Sequence, residues 1–272
     1  LIEKWRKCCK ICGKVDNIMI KYKSYKEENM YKFLKETIDD FNLHARVVPA
    51  LIIALPVYIY LMLKHIIALN FVDTILTNSG IFLLLIIVFY KVIRNLGKKY
   101  EEKMYKELMA KPTTIILRYS NNLIDEISKD RYHKKLNEKV KGLRLPIKKE
   151  NEVKEDDIKY ESAINWLRKY ANSNRDKEPR VYQELKDYNF WRNLYGGKVL
   201  IICSCLICIM IEIINLMEYG IKQLVNTPYP IIMPILVMTI ILILSCLIIN
   251  KKVVKSKAFD YAKTLLEVCD NL

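Results

Sequence analysis

The chain has 272 residues, with 45 Lys and Arg against 30 Asp and Glu, giving a net charge of +15. Hydrophobic residues make up 52% and charged residues 28%, but the two kinds are segregated along the chain, so a mean hydropathy near zero averages over two different solvents. This excludes an ordinary water-soluble domain and points to a protein that works in and against a membrane.

Residues 1–46 read as a cytoplasmic helical segment: Tyr25, Met30, Tyr31, Leu34 and Ile38 recur at helical spacing with Lys and Glu between them. Its basic start holds Cys8, Cys9 and Cys12. Cys9-x-x-Cys12 has zinc-ligand spacing, but no second pair of ligands follows, so no metal is assigned. No cleavable signal peptide is visible at this end.

Four apolar runs follow, Val47 to Ala68, Ile81 to Ile93, Val199 to Met217 and Pro230 to Ile249. Each approaches the roughly 20 residues with which an α-helix crosses a bilayer. Lipid offers no hydrogen-bond partners, so each satisfies its backbone as a helix. Short connections, Asn70 to Gly80 and Glu218 to Tyr229, make the runs two antiparallel hairpins, 47–96 and 199–250. Pro56 marks a bend in the first run, and Pro230 is placed for the start of a helix. Cys203, Cys205, Cys208 and Cys246 lie in these runs and read as small hydrophobes.

The segment 97–198 is a helical domain between the hairpins. Gly97 to Ala110 extends the second run and Pro112 ends it. Thr113 to Tyr119 is short and β-branched and reads as extended. Ser128 to Val140 is a basic helix with Ser128 as N-cap and Gly142 as the stop. Glu155 to Ala171 is amphipathic through Ile158, Ala163, Trp166, Leu167 and Tyr170. Val181 to Tyr195 is the next helix, and Gly196-Gly197 reads as a hinge into the membrane. Residues 251–272 read as a C-terminal tail.

Charge sets the orientation. The two short loops carry only Lys222 as a cation, whereas Lys91, Arg94, Lys98, Lys99, Arg192, Lys198, Lys251, Lys252, Lys255 and Lys257 flank the other ends. Basic flanks mark the cytoplasmic side, which places both termini and the middle domain in the cytoplasm. The same charge favours anionic headgroups as the surface partner over nucleic acid.

Two constellations stand out. Glu212 sits about 20 Å into the third run at 1.5 Å per residue, and Lys64 and His65 reach a similar depth from the same side. Intramembrane acids face a bundle interior or water, so a Lys64–Glu212 pair joining the hairpins reads as a polar gate lining, against two residues that snorkel separately to the interface. In the middle domain Arg118, Lys129, Arg131, His133 and Lys134, with Lys135 beside them, could hold a phosphate-bearing ligand or headgroups, against a plain solvated helix face. There is no Gly-rich phosphate loop, GxSxG or HExxH, so the chain reads as a non-enzyme without a cofactor.

Pro112-Thr113-Thr114, Leu117-Arg118, Arg131-Tyr132-His133, Leu145-Pro146, Tyr160, Trp166-Leu167 and Phe190-Trp191-Arg192-Asn193 form a string that resembles a pattern in uncharacterised bacterial multi-pass membrane proteins. The architecture also resembles the four-transmembrane effectors of nucleotide-signalling (CBASS-type) phage defence. That resemblance implies an inner-membrane protein that disrupts the membrane when its cytoplasmic domain senses a nucleotide second messenger or a protein partner, acting as a homo-oligomer. The expectation is thus an all-α integral membrane protein: four transmembrane helices in two hairpins plus a mainly helical cytoplasmic domain. A non-enzymatic scaffold or receptor subunit is the alternative, and a small transporter a more distant one.

Overall fold

A computed structural model describes residues 39–65, 71–147, 156–226 and 229–272, with side chains left out at 65, 71–77, 218–226, 229 and 230. The expected N-terminal helix and the Cys8, Cys9 and Cys12 group lie outside the described residues. Of residues 1–43 only a helical turn, Asp40–Asn42, and its flanks are described. From His44 onward the chain forms one compact unit.

Every described element is helical. A π-helical segment, Leu43–Val47, leads into α1 (Val48–His65). Then come α2 (Phe71–Glu107), α3 (Pro112–Leu117), α4 (Glu126–Lys139), α5 (Asp156–Ser173), α6 (Pro179–Asn226), α7 (Tyr229–Ile248) and α8 (Lys251–Glu267), closed by a 3-10 turn, Val268–Asn271. Among the described residues four helices are long and apolar enough to cross a membrane, which suggests a membrane protein. Their outward faces carry bare Leu83, Leu84, Ile87, Ile207, Met210 and Leu247. That surface suits lipid and would be unstable in water.

Helices α1, α2, α6 and α7 pack around Ile53, Ile93, Ile201, Cys205 and Met238. Contacts of α2 with α1 and the π-helical segment before it run in opposite directions: Arg46 meets Tyr90, Tyr58 meets Phe82, and Asn78 meets Met62. The segments read as loops are mostly helix, because α2 already starts at Phe71 and α6 continues to Asn226.

At one end α2 and α6 continue into a head. Its core gathers Met104 of α2, Leu117 of α3, Leu136 of α4, Leu167 of α5, Tyr188 of α6 and Leu265 of α8. Residues 251–272 are therefore not a loose tail. Val254, Ala258, Ala262, Leu265 and Leu266 recur at helical spacing and are buried in that core. Lys198 holds the junction, its Nζ donating to the carbonyls of Cys246 (3.2 Å) and Ile249 (2.8 Å) at the end of α7. Those carbonyls have no partner within the helix, and a cation there also suits the helix dipole. Asn250 then caps α8, accepting from Val253 N at 3.1 Å.

Two local expectations are corrected. Thr113 to Leu117 is helical, not extended: Pro112 sits in the first turn and the β-branched side chains of Thr113, Thr114 and Ile116 are buried, so packing overrides propensity. The N-cap of α4 is Asp125, which accepts from Ser128 N at 2.8 Å, rather than Ser128 itself. That helix ends at Lys139, with Gly142 (φ 81°) turning the chain beyond it.

Gly196-Gly197 is no hinge. α6 runs unbroken through it, and the glycines serve contact instead. A β-carbon on Gly196 would lie 2.4 Å from the backbone N of Gly97, and one on Gly197 would lie 2.2 Å from the Ile53 side chain. Gly196 thus lets α2 and α6 cross at backbone distance, and Gly197 leaves room for the Ile53 side chain of α1.

Candidate functional site

Within the apolar bundle Glu212 is fully buried. Its Oε2 accepts from Lys64 Nζ at 2.9 Å and its Oε1 from the Tyr60 hydroxyl at 2.7 Å. Tyr60 lies four residues before Lys64 on the same face of α1, so one carboxylate is gripped by two successive turns. Tyr60 was not singled out from the sequence, although its i,i+4 spacing to Lys64 is the signal that finds it. The structure brings Lys64 and Glu212 together. His65 follows in α1, and its side chain lies outside the described set.

A lone carboxylate in an apolar surround is costly; here both oxygens have donors and the charge has a counterion. Lys64 is 28% exposed at its side chain, so the pair sits at the edge of the bundle with one partner reaching outward. What this arrangement can do is latch α1 to α6.

The basic group in the head does not form one face. On α4, Lys129 and His133 are four residues apart and turn inward together with Tyr132 and Leu136, while Lys134 faces out. The His133 ring is wedged between the carbonyls of Leu117 (2.9 Å) and Pro146 (2.5 Å). Lys129 donates to the Asn121 carbonyl. Both residues fasten loops. Arg118 forks onto the Asp157 carboxylate, with Nε 2.8 Å from Oδ1. Arg131 pairs with Asp270 at 2.6 Å and lies over the Tyr132 ring; that carboxylate raises the Arg131 pKa further. Burial, then Asp270, pushes the Tyr132 hydroxyl up to about 12. Sequence spacing could not show this dispersal, because it depends on which face of α4 the core takes.

Another site was not foreseen. A cavity of about 350 Å³ opens in the head among α2, α3, α5, α6 and α8. On one wall Glu101 accepts from Tyr105 (2.9 Å), Tyr188 (2.6 Å) and Arg192 (3.1 Å). Lys111, Thr113, Arg168, Asn172, Asn189 and Tyr261 add further polar groups to the lining. These residues come from five separate helices, so no linear motif reports them. Among the described residues no group of His, Cys, Asp or Glu could hold a metal ion.

No family model matches this chain, and no curated protein and no solved structure is significantly similar to it.

Proposed function

We propose that this chain is a bacterial inner-membrane effector whose cytoplasmic head receives a signal and releases the transmembrane bundle to permeabilise the membrane. In this reading the spans form two hairpins and the head and both termini lie in the cytoplasm, supported by the basic flanks around the head. The effector class and its place in antiphage defence come from the architectural resemblance, and the work would be done by a homo-oligomer.

The observation that carries the reading is the continuity of α2 and α6. They hold 37 and 48 residues, about 55 and 70 Å at 1.5 Å per residue, against a hydrocarbon core of about 30 Å. Both therefore run from the head cavity through the membrane as single rods. Glu101 and Arg192 lie in the head part of these rods, and Glu212 about 30 Å farther along α6. A change in the head has a stiff route to the Lys64–Glu212 latch.

The scaffold reading has its own support. Glu212 spends both oxygens on Tyr60 and Lys64, so among the described residues the bundle offers a closed latch and no acid free to line a pore. Potassium-loaded proteoliposomes with a potential-sensitive dye separate the two readings. Wild-type protein should stay tight, and Glu212→Gln, which opens the latch, should leak. Equal tightness of both, with insertion verified by protease protection, favours the scaffold.

A further inference from the structure

We infer that the head cavity is a binding site for a small soluble molecule bearing an oxyanion, a phosphate or carboxylate group, with Arg168 as its main charge partner. This rests on the reading of the head as the receiving end of the molecule, and it names the class of signal received.

The cavity wall has three cations, Lys111, Arg168 and Arg192, and one carboxylate, Glu101. Two of the cations are engaged: Arg192 lies 3.1 Å from Glu101 and Lys111 lies 2.9 Å from Glu161. Glu101 is also consumed, by two tyrosine hydroxyls and Arg192. Among the described residues Arg168 has no carboxylate partner; its guanidinium meets the Tyr261 hydroxyl, and its Nε is buried without an acceptor. Thr113 on the same wall is 2% exposed and its hydroxyl is likewise unpartnered. Buried donors left without acceptors are rare and costly in native structures. The missing component is acceptor-rich and negative, which describes an oxyanion. A guanidinium is the side chain best shaped for such a group.

The volume points to a body beyond the oxyanion itself. About 350 Å³ holds on the order of ten waters at about 30 Å³ each, far more than a bare phosphate needs. The position argues for a soluble source rather than a lipid headgroup. Tyr188 and Arg192 precede the apolar run beginning at Val199 by about 16 and 10 Å along α6. Glu101 and Tyr105 follow the run ending at Ile93 by about 12 and 18 Å along α2. The headgroup layer is only about 5–8 Å deep on each side, so the cavity opens into the cytoplasm beyond it.

The test is binding to the full chain in maltoside micelles, which contain no phosphate, using inorganic phosphate and ribose 5-phosphate as probes and intrinsic Tyr and Trp fluorescence as readout. Saturable binding is expected, tighter for ribose 5-phosphate, and resistant to an equal ionic strength of KCl. Arg168→Gln should weaken it roughly tenfold or more and Thr113→Val roughly threefold, the worth of a charge-assisted and a neutral hydrogen bond. The neighbouring Lys169→Gln should leave it unchanged. Should Arg168→Gln fail to fold, Thr113→Val and Arg168→Lys carry the test, the latter retaining charge but losing the fork. No saturable binding, or equal binding by wild type and a folded Arg168→Gln, overturns the inference. Competition by phosphatidylglycerol in nanodiscs overturns the soluble source. Permeability plays no part in the readout, so this can fail while the effector reading stands, and the reverse.

Discussion

Replacing Gly196 by alanine tests the claim that α2 and α6 cross at backbone distance. The added carbon would stand 2.4 Å from Gly97 N, 2.7 Å from Gly97 Cα and 2.7 Å from Leu96 C. Ordinary contacts of this kind are about 3.5–4.0 Å. Each neighbour is backbone, so no side chain can rotate away, and the two helices have to part by about 1 Å. Overpacking of that kind costs about 1–3 kcal/mol. Alanine returns up to about 1 kcal/mol through its better helix propensity. The net expectation is a loss of about 1–2 kcal/mol, or a melting point a few degrees lower for a chain of this size. Gly80→Ala is the internal control: a β-carbon there meets nothing within 4 Å, so only the propensity gain remains and the sign reverses. Thermal unfolding in detergent, followed by Trp fluorescence, reads both. If Gly196→Ala is as stable as wild type, or shifts with Gly80→Ala in the same direction, the close crossing is wrong.

Other expectations follow from the latch, the cap and the charges. Glu212→Gln and Lys64→Gln should each destabilise the bundle, by up to about 3 kcal/mol for a broken buried pair, and the double variant should recover part of the loss. Strict additivity in that cycle would mean that the two side chains face their surroundings separately, since contacting residues couple by about 0.5–3 kcal/mol. The hydrogen bonds from Ser128 hold the Asp125 carboxyl below its ordinary pKa. Its capping contribution is therefore complete above the unfolded carboxylate pKa, about 3.9, and is lost as pH falls through the lower folded value. Asp125→Ala should flatten the acid limb of the stability profile, and an unchanged limb would remove the cap from the account. In a cysteine-free background, Lys134→Cys should be labelled from the cytoplasm and Asn226→Cys from outside; the converse pattern would reverse the orientation.

The long apolar runs were legible because a membrane span is a matter of length and composition, and both survive in a bare sequence. The Lys64–Glu212 encounter was legible for a related reason: two ionisable residues at matching depth have few other partners. Where the reading misfired, tertiary packing decided. Gly196-Gly197 has the local signature of a break, and only the facing Gly97 turns it into a crossing. Lys129 and His133 look like solvent-facing charges beside Arg131, until the core chooses the face of α4 that carries them. The cavity was invisible because its polar wall is assembled from five helices far apart in sequence. α8 was missed as a core element because its many lysines mask five apolar positions spaced for one face.

Lys198 limits how such a molecule can move. Its ammonium bridges the Cys246 carbonyl near the end of α7 and the Ile249 carbonyl just past it, and a hydrogen bond tolerates only a few tenths of an ångström of stretch. Sliding α6 lengthwise past α7 by a full helical step would break both bonds at once and strand the charge beside the apolar span. Swinging α6 about that fixed point leaves them intact. Motion in the head should therefore reach the far end of the bundle as a lever stroke pivoting at Lys198, with the largest displacement farthest from it, and not as a piston.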